Sequence, residues 1–420
     1  MKKKIILGVL FLLAIAPFAN AAELSLEDCV SIALKNHPDL IAAAEELKSS
    51  KSTISQAKAA GQPSLNASSS YSRKDNFSAN SVTGNNGSES YSTGLNLSQL
   101  ISDSGKTKLR IQKAQQTTDA VTQDLAEKRD EVIKNVSDAF YNVNNTERVH
   151  AVAKQRFENY EKRLKWAKAY FKAGKKAKIE VTRAEADLAS SKLTLITAKT
   201  EKDVAKATLA AEMGDAKLKI SSVKDELEYA QWNITEDEAI KLALENRPEL
   251  IAKQKRVAAA KTELGIQQKG LSPTLSAGAG IATGGSNFTE KNDWSATVSL
   301  SLPILDGGAT NSKIAQAKAD LAAAEAEEHS LQNSVILEVR KAWQNMTKSN
   351  ESIVSAREAE RKEKENYELA EKRYEAGVGN SLEISDAVDS LALAQTKTIA
   401  ALYTAKSSQL ALLKAIGGQK

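Results

Sequence analysis

The chain has 420 residues, of which 41% are hydrophobic, 26% charged and only 5% aromatic, with 58 Lys and Arg against 53 Asp and Glu for a net charge of +5. Residues 1–21 carry Lys2, Lys3 and Lys4 and no acid, so without them the charge falls to +2 over 399 residues, too near neutrality for a nucleic-acid binder. The single cysteine, Cys29, excludes a disulfide framework or thiolate cluster, and His37, His150 and His329 lie too far apart to show a metal-ligand spacing.

Residues 1–21 read as a secretory signal: a basic start, an apolar run over 5–16, then Ala19-Asn20-Ala21 as a small-x-small cleavage site. Twelve apolar residues are too few to span about 30 Å of hydrocarbon, and no cysteine follows the site to carry a lipid. No later apolar run reaches 18 residues. An exported chain of this kind stays in the periplasm, leaves the cell, or enters a membrane as a β-barrel.

Everything after the signal occurs twice. Residues 26–42, containing Asn36-His-Pro38, recur as 236–252, containing Asn246-Arg-Pro248, and Pro63-Ser-Leu65 recurs as Pro273-Thr-Leu275, all at an offset of 210. Asp103-Ser-Gly105 then matches Asp306-Gly-Gly308, Phe171-Lys-Ala-Gly174 matches Tyr374-Glu-Ala-Gly377, and Met213-Gly214 matches Ile416-Gly417, now at 203. The seven-residue difference places a deletion between Pro273 and Asp306. A unit of about 200 residues is far longer than a solenoid repeat.

In chain order, each copy opens with a short amphipathic helix broken at Pro38 or Pro248, a residue suited to the first turn of the next helix. Cys29 stands where the second copy has Ala239, as a small packing residue. After Pro63, the residues Leu65, Ala67, Ser69 and Tyr71 alternate with polar or small ones, as do Tyr91, Thr93, Leu95 and Leu97. Leu275, Ala277, Ala279 and Ile281, then Trp294, Ala296, Val298, Leu300 and Leu302, repeat the pattern. Such alternation is the signature of a transmembrane β-strand, and Tyr71, Tyr91, Phe288 and Trp294 fall where aromatic girdles occur. The polar segments 75–90 and 282–293 are expected to be loops. Asp103 and Asp306 then suit helix N-caps.

The stretches 106–173, 175–213, 309–376 and 380–416 contain no Gly or Pro and are rich in Ala, Lys, Glu, Gln and Leu. The longest, about 68 residues, would reach about 100 Å as a helix. Leu125, Val132, Val136, Phe140 and Val143 step like a coiled-coil seam. Gly174 and Gly377 mark tight turns from which each long helix returns as a shorter one. A periplasmic coiled-coil scaffold would account for these helices, but it needs no amphipathic strands. Four strands cannot close a barrel, so several copies must share one sheet, and three copies supply twelve strands.

This order of motifs, in two copies, resembles the TolC-like outer-membrane efflux protein (outer membrane factor) family across essentially the whole mature chain. The resemblance implies an α+β membrane protein. It forms a homotrimeric 12-stranded β-barrel, four strands per protomer, that continues into a long α-helical coiled-coil barrel built from two tandem structural repeats. The implied organisation is a signal peptide at 1–21 and a first repeat at 22–214, with an equatorial helix, β-hairpin 64–100 and helical hairpin 104–213. An equatorial linker at 215–233 leads to a second repeat at 234–420, with β-hairpin 274–303 and helical hairpin 307–416. The chain ends right after its last helix, so a small equatorial belt is expected.

The implied function is a passive exit duct in the outer membrane, extending into the periplasm, for a tripartite efflux or type I secretion system. It is not an enzyme, and no cofactor or metal is expected. Its partners would be two further copies of itself, a periplasmic adaptor, an inner-membrane RND or ABC transporter and outer-membrane lipid, with no nucleic acid. Glu383 and Asp386, three apart on one helix face, match the family's acidic ring at the periplasmic entrance; the first copy has Glu180 but Arg183 at the second position. Glu180 matches an acceptor for Tyr374 in a closed-state tether. The arginine of the family's other tether is Gly379 here, so few polar links are expected to hold the entrance closed. The turns with Gly174, Lys175 and Lys176, and with Gly377, Val378 and Gly379, match the tips where adaptors dock. The two lysines suit either an acidic adaptor tip or solvent.

Overall fold

A computed structural model describes residues 23–75, 87–286 and 291–418. The signal segment, Phe288 and the tip of the first hairpin loop lie outside these residues. The elements are α1 (Leu26–Asn36), α2 (Pro38–Ala59), β1 (Ser64–Asp75), β2 (Gly87–Ser102), α3 (Lys106–Lys172) and α4 (Lys178–Glu212), followed by their second-copy equivalents. Those are α5 (Glu236–Asn246), α6 (Pro248–Gln268), β3 (Thr274–Gly285), β4 (Lys291–Ser301), α7 (Ala309–Glu375) and α8 (Ser381–Ala415). Both α3 and α7 have 67 residues, and both α4 and α8 have 35.

Local chemistry explains the boundaries. Ser25 and Thr235 cap α1 and α5 through reciprocal capping boxes: the Asp28 amide donates to Ser25 Oγ at 3.2 Å and the Glu238 amide to Thr235 Oγ1 at 3.3 Å. The acids accept back from the Ser25 and Thr235 amides, both at 3.1 Å. Pro38 and Pro248 open α2 and α6. Asp103 Oδ2 accepts from the Thr107 amide and Asp306 Oδ2 from the Thr310 amide, each at 2.7 Å, at the starts of α3 and α7.

Two compact units emerge. One comprises described residues 23–37, 135–231 and 349–407; the other comprises 38–134, 232–348 and 408–418. In the first, a parallel bridge joins Leu24 to Val223, with the Lys224 amide donating to Leu24 O at 2.9 Å. Cys29 and Ala33 on α1 are fully buried, as are Phe140 and Val143 on α3 and Leu209 on α4. Arg148 holds Asp225 through two nitrogens, each at 2.9 Å, and fixes the irregular 215–233 segment to α3.

The second unit has a core of Ala239, Ala243, Leu250, Val335, Val339, Met346, Leu412 and Ile416. Trp343 Nε1 donates to Ile234 O at 2.8 Å beside it. This unit also carries the sheet, a four-stranded antiparallel meander in the order β1-β2-β3-β4. Tyr71 stands opposite Tyr91 and Ile281 opposite Trp294. The second hairpin therefore keeps the register of the first, and the seven-residue deletion falls between Gly285 and Lys291, in the connection. A ladder cannot lose a residue without turning every following side chain over, whereas a connection can. The strands also run further than the sequence suggested, through 72–75 and 87–90. Ser72 and Ser90 share a hydrogen bond at 3.0 Å, and Arg73 bridges Glu89 at 3.3 Å, cross-strand pairs that extend the ladder.

Candidate gate and membrane face

Register sorts the strand residues onto two faces. One carries Leu65, Ala67 and Tyr71, then Leu95, Leu97, Ala277, Ala279, Ile281, Trp294, Val298 and Leu300. The opposite face carries Ser64, Asn66, Ser68, Ser70, Asn96, Ser98, Gly278, Gly280, Ser295, Thr297 and Ser299. Among the hydroxyls on the apolar face, Ser69 and Thr93 satisfy each other, Ser69 Oγ lying 2.9 Å from Thr93 Oγ1, so neither is left unpaired among hydrocarbon. Tyr71 and Tyr91 stack with centroids 4.9 Å apart near one end. An apolar exterior backed by a hydroxyl-lined interior is the pattern of a membrane barrel wall. No described helix is long and apolar enough to cross a membrane.

The candidate gate residues lie at the helical turns of the other unit. In the first turn Gly174 adopts φ +69° and the Lys175 amide donates to Tyr170 O at 2.9 Å; in the second Gly377 adopts φ +77° and the Val378 amide donates to Arg373 O at 3.1 Å. Both are helix-ending loops that reach back five residues around a left-handed glycine. A Cβ at either glycine would meet nothing within 4 Å, so backbone conformation alone demands glycine there. Gly379 differs. A Cβ there would lie 2.8 Å from Tyr374 N and 2.9 Å from Arg373 C. This turn therefore excludes any side chain at the position where the family resemblance places an arginine tether.

Glu383 and Asp386 are both exposed on α8, opposite the buried Ile384, Ala387 and Val388. Arg373 Nε reaches Glu383 Oε1 at 3.1 Å, so one of the two carboxylates is already ion-paired within its own hairpin. Lys176 Nζ contacts Gly379 O at 3.5 Å and links the two turns, while Lys175 is exposed. Apolar side chains also reach solvent here, with Ile179 73% and Val378 74% accessible.

The expected Tyr374–Glu180 hydrogen bond is not made. Glu180 Oε2 is buried without a hydrogen-bond partner. Tyr374 packs instead with Tyr160, Ala370, Ile384, Ala387 and Val388, and burial raises its hydroxyl pKa. Tyr170 Oη donates to the Glu375 carbonyl at 2.9 Å.

Polar links between the hairpins are nonetheless present, at positions the sequence reading did not single out. Arg163 on α3 is 1% accessible. Its Nη1 donates to Asp187 on α4 and its Nη2 to Ser381 Oγ on α8 at 3.2 Å, while Ser385 Oγ donates to the same Asp187 oxygen at 3.1 Å. Seven residues back on α3, Arg156 Nε and Tyr160 Oη donate to Asp389 Oδ1 at 2.8 and 2.7 Å. Burial, reinforced by that carboxylate, pushes the Tyr160 hydroxyl far above its usual range. The available signal was the four-then-three spacing of Arg156, Tyr160 and Arg163, a polar stripe along a packing face.

Fold and faces together define the subunit of an outer-membrane channel with a periplasmic helical extension. Residues 29–215 and 239–418 match the outer membrane efflux protein family, and the chain belongs to it. Among its relatives, the outer membrane efflux protein BepC of Brucella suis biovar 1 (strain 1330) is 22% identical over 77% of this chain and 71% of that protein. The outer membrane protein TolC of Escherichia coli (strain K12) is 24% identical over 99% of this chain and 87% of that protein. The solved structure of CusC, described for transmembrane channel formation, superposes with a TM-score of 0.82 at 18% identity over 94% of this chain and 92% of that one. The relatives and fold neighbours are outer-membrane channel proteins, not enzymes.

Proposed function

We propose that three copies of this chain close a twelve-stranded barrel and a helical barrel to form the exit duct of a tripartite efflux or type I secretion system. Cargo delivered by an inner-membrane RND or ABC transporter through a periplasmic adaptor passes passively through the shared lumen. The observation that carries this reading is the sheet: one apolar face, one hydroxyl-rich face and two open edges, β1 and β4. Open edges cannot lie in lipid, so the barrel is completed by other copies.

In this reading Glu383 and Asp386 of three copies converge at the periplasmic entrance, where closely placed carboxylates favour cations. Arg373 holds Glu383 in an ion pair, which leaves Asp386 as the stronger determinant. The closed state is held by the Arg163–Asp187–Ser381/Ser385 network and by Asp389 with Arg156 and Tyr160, because Glu180 and Tyr374 are not bonded. The exposed turns, with Lys175, Val378 and Ile179, receive the adaptor. Crosslinking from a photoreactive group at Lys175 in intact cells tests this assignment. An adaptor recovered with its pump supports it, and crosslinks to neither contradict it.

A further inference from the structure

The apolar face of the sheet is not uniformly apolar. Register aligns its side chains in rows that cross the strands. Ala67, Leu95, Ile281 and Trp294 form one row. Ser69, Thr93, Thr283 and Asn292 form the next towards the hairpin connections, and Tyr71, Tyr91 and Gly285 the one after it. Three hydroxyls and an amide thus lie between an apolar row and a stacked tyrosine pair, on the face that the barrel reading sets in lipid.

The first two rows line a groove of about 500 Å³. Its floor is low because Ala67, Thr93 and Thr283 are short. Its wall is Trp294, which stands 80% accessible beside Ile281 at 59%. The groove crosses the face of the sheet from β1 to β4, so a strand added at either edge lies beside it and not over it.

Ser69 and Thr93 bond to each other. Among the described residues, the Thr283 and Asn292 side chains have no such partner, and a hydroxyl and an amide left bare in hydrocarbon are costly. Both offer donors. They stand directly opposite each other, a separation of about 4.5 to 5.5 Å between Cα atoms, close enough to share one carbonyl oxygen with its two lone pairs. An acyl lipid brings both things the groove lacks, an apolar chain and, at the end of that chain, a carbonyl that only accepts.

We propose that this groove is a lipid-binding site, an inference that rests on the membrane barrel proposed above. The acyl chain lies over Ala67, Leu95 and Ile281 against the Trp294 ring, and its linkage carbonyl accepts from Thr283 Oγ1 and Asn292 Nδ2. The headgroup then begins at the level of Tyr71 and Tyr91, as aromatic girdles require. The lipid points its chain towards the helices and its headgroup towards the hairpin connections, the orientation of the outer leaflet.

Native mass spectrometry of the full chain, delipidated in detergent micelles, reads this site with two probes: diacyl phosphatidylethanolamine and its ether-linked dialkyl analogue, which lacks the carbonyl. The unmodified protein should take up the diacyl lipid to one molecule per chain and bind the dialkyl lipid about tenfold more weakly, the loss expected for two ordinary hydrogen bonds. Thr283→Val/Asn292→Leu makes the groove more apolar, yet should weaken the diacyl lipid about tenfold and abolish the preference. Ala67→Trp, which fills the floor, should remove stoichiometric binding of both. Equal binding of the two lipids by the unmodified protein overturns the carbonyl site, as does undiminished diacyl binding in the double variant, because a merely greasy surface behaves that way. Liposome flotation separates the two levels. Protein that floats but takes up no stoichiometric lipid overturns the groove alone, whereas protein that never enters liposomes overturns the membrane barrel as well.

Discussion

Arg163 puts a guanidinium where only 1% of the residue meets solvent, and its partner Asp187 keeps a side chain 30% accessible. That asymmetry sets the response to mutation. Asp187→Asn strands a buried cation and should cost about 3 kcal/mol, whereas Arg163→Met leaves a carboxylate that water can reach and should cost markedly less. Thermal unfolding followed by helical circular dichroism separates the two, and equal losses would mean that Asp187 does not hold the charge. Cys29 carries a pH signature. Burial, with a smaller contribution from Asp28, pushes its thiol up from 9.0 to about 11. The folded state therefore keeps the proton longer than the unfolded chain, and this stabilisation is complete below about pH 9 and lost as pH rises towards 11. Cys29→Ala, which copies Ala239, should flatten that alkaline fall in melting temperature; identical profiles for the two proteins would contradict it.

The repeated elements depend on a few local devices. Ser25→Ala and Thr235→Ala each remove a capping box and should cost about 1 kcal/mol. Gly377→Ala, forced into a left-handed conformation, should cost about 1 to 2 kcal/mol, and Gly379→Ala more, because its Cβ would sit 2.8 Å from Tyr374 N. Guanidine titrations of each variant check this order, and a Gly379→Ala protein as stable as Gly377→Ala would contradict it. Most of this architecture was legible beforehand. Period-two alternation located the strands, uninterrupted helix formers located α3, α4, α7 and α8, and the proline and glycine positions located their ends. The extensions at 72–75 and 87–90 were not legible, because Arg73–Glu89 and Ser72–Ser90 look like loop chemistry until the register brings them together. The inter-hairpin network was hidden for a related reason. Arg163, Asp187 and Ser381 are far apart in sequence, and each reads singly as a solvated residue of a charged helix. The Tyr374–Glu180 bond came from family resemblance alone; here Tyr374 is packed among Tyr160, Ile384 and Val388, and Glu180 Oε2 is buried without a hydrogen-bond partner.

At the scale of the whole molecule, a chain of the outer membrane efflux protein family presents a sheet finished on both faces and open at both edges. On the hydroxyl face no residue within 64–72, 90–98 or 295–301 carries a formal charge, and Lys74 and Asp293 on that face lie just beyond, towards one end of the ladder. In the proposed duct, charge selection would then fall to the helical turns, where Asp386 is exposed and Glu383 is paired with Arg373. Single-channel recording of the purified protein in planar lipid bilayers under a salt gradient tests this account most directly. The account predicts discrete, cation-selective conductance steps whose selectivity falls several-fold in Asp386→Asn and less in Glu383→Gln. Protein that inserts into the bilayer yet passes no current, or whose selectivity ignores both substitutions, would contradict it.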